Sequence, residues 1–177
     1  EDMGRRDQAI NNYQSAVEND PDMVEAWLAL AKLWSEEDPD LAVFFYDNAL
    51  RVAPSDTIAL HEKALFLANQ KDDLQGALEL YRKIISLNQQ YEDAYLNSGL
   101  LYLDLDSIEA ARQQFDLAIQ IEPTLVSAYY YRGIANELLN EPQLAINDYE
   151  QALRLNDQYK EAEEALNRLR SETTPQQ

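Results

Sequence analysis

The chain has 177 residues, of which 46% are apolar, and its 33 acidic against 14 basic residues give a net charge of −19. That balance argues against wholesale disorder, and against a nucleic-acid backbone or an anionic membrane surface as partner. With no cysteine there are no disulfides or thiolate metal sites, and no apolar run reaches the ~18–20 residues of a bilayer-spanning helix.

Residues 1–23 predict one helix, with Ala9, Tyr13 and Ala16 on one face and Asp20-Pro21 closing it. From residue 24 a two-helix pattern takes over. In 24–56 the first helix carries Ala26, Trp27, Ala31 and Trp34 at spacings of three and four, which is helical and not the period of two expected of strands. The polar stretch Glu37-Asp38-Pro39-Asp40 separates it from a second helix bearing Ala42, Tyr46 and Ala49, and Ala53-Pro54 ends the copy. In 57–91 the same rows hold Ala59, Leu60, Ala64 and Leu67, then Lys71-Asp72-Asp73, then Ala77, Tyr81 and Ile84. In 92–125 they hold Ala94, Tyr95, Gly99 and Tyr102, a turn with Asp106 or Ser107 as the expected helix cap, then Ala111, Phe115 and Ala118 before Glu122-Pro123. In 126–159 they hold Ala128, Tyr129, Gly133 and Asn136, the turn Asn140-Glu141-Pro142, then Ala145, Tyr149 and Ala152. A last helix over 160–171 has a narrow apolar stripe of Ala162, Leu166 and Leu169, as a terminal cap exposed on one side requires, and 172–177 reads as a tail.

The rows recur every 33 to 35 residues, too short a period for one copy to bury its own apolar face, so the copies must stack. The combined pattern resembles the tetratricopeptide repeat (TPR), a helix–turn–helix unit. The resemblance implies an all-α solenoid wound as a right-handed superhelix, with four full repeats at 24–56, 57–91, 92–125 and 126–159. Residues 1–23 then correspond to the second helix of a truncated repeat. The chain reads as a fragment of a longer protein, with the open face of Ala9, Tyr13 and Ala16 available for self-association. Gln89 and Asp157 replace the turn proline, and Asn136 breaks the row of Trp34, Leu67 and Tyr102. The strings 128–133 and 149–155 are similar to bacterial TPR proteins, of a kind often exported or lipid-anchored in the cell envelope; cytoplasmic residence is the alternative.

Little in the sequence points to catalysis, and we expect no enzyme, cofactor or metal site. His61 is the lone histidine and has no nucleophile motif to serve, and the four glycines form no phosphate-cradling loop. Asp104, Asp106 and Glu109 lack the glycine and most of the oxygen ligands of a calcium loop.

One helix breaks the amphipathic pattern. Beside the packing face of Tyr95, Gly99 and Tyr102, Leu96, Leu100 and Leu103 line a second face that a helix buried on one side leaves polar. The same columns elsewhere hold Leu28, Lys32, His61, Leu65, Tyr130 and Ile134, with Leu138 as an extension. In the TPR family such columns line the inner, concave surface, where partners dock. The resemblance therefore implies a protein–protein interaction scaffold whose apolar groove takes an extended peptide or an amphipathic helix. Glu25, Glu36, Asp93, Asp104 and Glu137 form an acidic rim favouring a basic flank on the partner. The cluster of lysines and arginines with which some TPR proteins clamp a C-terminal carboxylate is missing here. The competing reading is a structural spacer or oligomerisation segment without a peptide ligand.

Overall fold

In the computed structural model, which describes residues 2–173, every element is a helix. The chain divides into two compact units, with the boundary between Leu87 and Asn88. The first contains α1 (Asp2–Asn19), α2 (Val24–Trp34), α3 (Pro39–Val52), α4 (Thr57–Lys71) and α5 (Leu74–Leu87). The second contains α6 (Glu92–Asp104), α7 (Ile108–Ile121), α8 (Val126–Leu138), α9 (Pro142–Leu155) and α10 (Lys160–Thr173). The tail expected from 172 begins inside α10, and residues 174–177 lie outside the described residues. Within each unit, consecutive helices pack against one another, and in the second α6 also touches α8.

The repeating rows are the core. Ala42, Ala77, Ala111 and Ala145 are wholly buried, as are Ala59, Ala94, Ala128 and Ala162. The aromatic row follows, with Tyr46, Tyr81, Phe115 and Tyr149 all buried. Small residues opposite those rings set the helix spacing. A Cβ built on Gly99 would lie 2.8 Å from Phe115 Cδ1, and one on Gly133 would lie 2.5 Å from Tyr149 Cε1. Both glycines therefore mark where two helices approach within reach of an aromatic ring. In α1, Ile10 and Val17 are buried, Ala9 and Ala16 half-buried, and Tyr13 is 40% exposed.

The turns explain the punctuation. Pro39 and Pro142 occupy the first turns of α3 and α9, where a missing N–H costs nothing. Asp38 and Asp56 accept hydrogen bonds from Leu41 and Ala59 N–H at 3.0 and 2.9 Å, satisfying donors a helix start leaves open. Ser107 precedes α7 without a side-chain cap bond, contrary to the expected capping. Asp106 instead takes a left-handed conformation (φ 53°), as do Asp72 (φ 53°) and Asn140 (φ 59°). Each is followed by an N–H that bonds back across the helix end: Asp73 to Leu67 O, six residues back, and Ser107 to Tyr102 O and Glu141 to Asn136 O, each five residues back, at 2.9, 2.8 and 2.8 Å. That is the glycine-type helix stop built from aspartate and asparagine. Loss of the turn proline at Gln89 leaves the local geometry intact. Trp27 and Tyr129 donate to the carbonyls of Pro21 and Pro123, and Tyr95 donates likewise to Gln89 O at 3.4 Å.

Candidate functional site

The sequence-predicted groove residues divide between the two units. In the second, α6 carries Leu96, Leu100 and Leu103, all half-buried at the edge of the cluster formed by Ala111, Phe115 and Ala135. On the adjoining α8, Tyr130 and Ile134 are half-buried and Leu138 is 60% exposed. Tight α6–α7 packing through Gly99 fixes which side of α6 faces the core, and so which side retains the leucines. Asp93 and Asp104 are exposed on the same helix. Glu137 is already engaged: Arg168 Nη2 donates to both of its oxygens, at 2.8 and 2.7 Å, and the Tyr149 hydroxyl donates to it as well. Burial, reinforced by the Glu137 carboxylate, pushes the Tyr149 phenol far above its ordinary range.

The equivalent columns of the first unit are less apolar at the surface. Leu28 is buried, 8% exposed, in a cluster with Ile10, Val17 and Leu30, and so offers a partner little area. Lys32 Nζ is 2.6 Å from Glu62 Oε1, and His61 lies edge-on to Tyr81 with ring centroids 5.6 Å apart. Leu65 is half-buried, and Glu25 and Glu36 are exposed.

A second feature was not anticipated from the rows. A cleft of about 440 Å³ in the second unit is lined by Arg112, Asp116, Arg132, Asn136, Leu144, Asn147 and Asp148. Asp148 is only 5% exposed and Asn136 3%. Arg132 reaches Asp148 through both Nε and Nη2, and Asp116 through Nη1 at 2.7 Å. Asn136 Nδ2 donates to Asp148 Oδ2 at 2.9 Å, and Arg112 Nη1 pairs with Glu141 at 2.7 Å. Two carboxylates at one guanidinium hold Arg132 more firmly protonated than usual, against the burial that opposes its charge. The signal was present in the sequence. The Asn136 column holds Trp34, Leu67 and Tyr102, and the Asp148 column holds Phe45, Leu80 and Gln114, so only the last repeat pairs an amide in the first column with a carboxylate in the second. The network satisfies itself, because both oxygens of Asp148 are taken.

Among the described residues, no group of three His, Asp or Glu side chains could hold a metal ion, and no helix is long and apolar enough to cross a membrane.

Comparison with known proteins agrees with this architecture. Tetratricopeptide-repeat family models match residues 1–43, 92–125 and 126–159, together well over half of the chain. Hsc70-interacting protein 1 of Drosophila melanogaster is 32% identical over 79 residues, 45% of this chain and 21% of that protein. The chain spans 12% to 21% of the length of the curated relatives it matches. Among solved structures, MamA superposes with a TM-score of 0.78 at 25% identity, covering 89% of this chain and 92% of its own. The TPR domain of Arabidopsis OM64 gives a TM-score of 0.62 at 31% identity, covering 65% of this chain and 94% of that one. The chain belongs to the tetratricopeptide-repeat family.

Proposed function

We propose that this chain is a protein-interaction scaffold whose second unit holds an extended peptide or amphipathic helix against α6 and α8. The observation that carries the reading is the half-buried row Leu96, Leu100 and Leu103, beside Tyr130 and Ile134 on the touching helix. Apolar groups placed contiguously where a one-sided helix is polar form a patch, not scattered surface leucines. Fully burying an exposed side chain of this kind contributes ~1.5–3 kcal/mol, and these half-buried anchors have roughly half of that left to gain, so binding requires several of them, with polar contacts, to engage together.

The name of Hsc70-interacting protein 1 records a protein partner for a related repeat, in agreement with this class of function. Recognition of a C-terminal carboxylate is not favoured, because the cations near the relevant columns are engaged. Lys32 pairs with Glu62, Lys63 with Asp47, and Arg132 with Asp116 and Asp148. No catalytic step is proposed for these repeats. A bacterial source remains part of the reading, on the strings 128–133 and 149–155.

The second reading, a spacer or oligomerisation segment, draws on the same leucines: their packing against the Phe115 cluster is itself a structural use. Leu65→Glu and Leu100→Glu separate the two. Affinity capture from source-cell lysate, with circular dichroism and thermal melts on each variant, is expected to show unchanged helicity and loss of a partner from Leu100→Glu. Equal capture by wild type and both folded variants would refute the groove.

A further inference from the structure

Six of the eight tyrosines of the second unit fall into two groups. The hydroxyls of Tyr95, Tyr129 and Tyr149 donate to Gln89 O, Pro123 O and Glu137. Those of Tyr130, Tyr131 and Tyr159 hydrogen-bond to no other described residue, and none of the three side chains is fully buried. Their rings are nonetheless locked together. Tyr130 meets Tyr131 edge-on at 5.2 Å and 63°, and Tyr159 edge-on at 5.3 Å and 83°. Tyr131 is further stacked on the buried Phe115 at 6.0 Å and 22°. Tyr131 shares its cluster with Leu96 and Leu100, and Tyr130 and Tyr159 share theirs with Ile134, so three ring-held phenols adjoin the apolar row. Side chains already held by packing lose little freedom when they bind a ligand.

Acids act on two of the three phenols, although Lys160 stands exposed between Tyr159 and Glu161. Glu161, exposed in the first turn of α10, acts on both Tyr130 and Tyr159, while Arg168 is committed to Glu137. Burial first, then these acidic and phenolic neighbours, push the Tyr159 phenol up to about 12 and raise Tyr130 too. The hydroxyls stay neutral at physiological pH, able to accept hydrogen bonds from a donor. A lysine ammonium or arginine guanidinium is donor-only, is attracted to aromatic faces, and gains from a carboxylate alongside. An acidic side chain placed here meets Glu161 and a chain of net charge −19.

We propose that the Tyr130–Tyr131–Tyr159 cluster, with Glu161, is the seat for a lysine or arginine side chain of the peptide docked on α6 and α8. The proposal rests on the groove reading above and adds the chemistry by which the groove selects its partner. Apolar anchors against Leu96, Leu100 and Ile134 bring a following residue of the peptide to Tyr130, so the basic residue falls at a fixed spacing from those anchors.

The test is a phage-displayed random dodecapeptide library selected on the full chain, with Leu100→Glu as a parallel control. Wild type is expected to enrich peptides with apolar anchors and a lysine or arginine at constant spacing. The best peptide and its Lys→Met (or Arg→Met) form are then synthesised. Tyr159→Phe/Glu161→Gln, which removes one hydroxyl and one charge at the surface, is expected to bind the basic peptide about tenfold more weakly and the Met form unchanged. Enriched peptides with apolar anchors but no fixed basic position, or equal losses for both peptides, overturn the seat and leave the groove standing. Failure of wild type to enrich anything beyond the Leu100→Glu control overturns the groove and the seat with it.

Discussion

Three glycine-to-alanine substitutions set helix propensity against packing, and the structure assigns each a sign. Alanine is favoured over glycine in a helix interior by roughly 1 kcal/mol. At Gly133 this gain meets a Cβ placed 2.5, 2.9 and 3.0 Å from Tyr149 Cε1, Cδ1 and Cζ. Ordinary contact lies near 3.5–4 Å, so ring or helix must yield by about 1 Å. Neither yields easily: Tyr149 is wholly buried and its hydroxyl is tied to Glu137. Overpacking of a filled core typically costs ~1–3 kcal/mol, which outweighs the propensity gain and leaves Gly133→Ala destabilised by about 1–2 kcal/mol. Gly99→Ala meets the equally buried Phe115 ring and should behave alike. Gly4, also helical, has nothing within 4 Å of the added carbon. Gly4→Ala should raise stability, by less than 1 kcal/mol so near a helix start. At about 2–4 °C per kcal/mol for a chain of this length, thermal melts resolve the signs. Gly133→Ala melting at or above wild type would refute the close-approach argument.

Four further variants probe other parts of the fold. Asp148→Ala strips Arg132 of its bidentate partner; because Arg132 keeps Asp116 and some solvent contact, the cost in urea denaturation should be about 2–3 kcal/mol, and Arg132→Met/Asn136→Leu/Asp148→Leu should be near neutral. Asp106→Gly, at φ 53°, should stabilise by roughly 0.5–1 kcal/mol, read from the same denaturation curves. Burial pushes Tyr46 up to about 12 in the folded chain, against an ordinary value of 10.0. The unfolded chain thus releases this proton first, so stability is full below pH 10 and falls as pH rises toward 12; melts against pH should show the fall, and Tyr46→Phe should shrink it.

The packing rows were legible because they recur in kind: an alanine or glycine facing an aromatic is a local geometric need that each copy meets in the same way. Residues that do not recur were harder to read. Leu30, wholly buried, shares its column with Lys63, Ser98 and Arg132, and Phe66 shares its own with Leu33, Leu101 and Ala135. Within the first unit Phe66 meets Tyr46 of the preceding hairpin at 5.3 Å, and within the second Arg132 reaches Asp116 of the preceding hairpin, so the same columns are filled by different chemistry. The surface columns were legible as positions but not as exposures. Leu28 and Leu96 occupy equivalent places, yet Leu28 is drawn into a cluster with Ile10 and Val17, whereas Leu96 stays half-buried. A column assigns a direction along the helix; the neighbouring helix decides how much of the side chain water still reaches.

That distinction bears on where a partner would bind and how. In the first unit the surface columns are largely spent on internal contacts: Leu28 is buried, and the Lys32–Glu62 and Lys63–Asp47 pairs consume the cations. In the second, the leucines of α6 and the tyrosine cluster keep accessible area, and Glu161 and Asp93 keep exposed charge. Affinity at such a surface resides in desolvated apolar anchors, which govern dissociation, whereas the charge of −19 acts over a Debye length of ~8–10 Å and governs encounter. Added salt should therefore slow association with a basic peptide far more than it speeds release. A lysine seated among Tyr130, Tyr131 and Tyr159 is the exception, since a partly desolvated cation is poorly screened. A salt-insensitive component of dissociation, removed with that lysine, separates the seat from the diffuse acidic field.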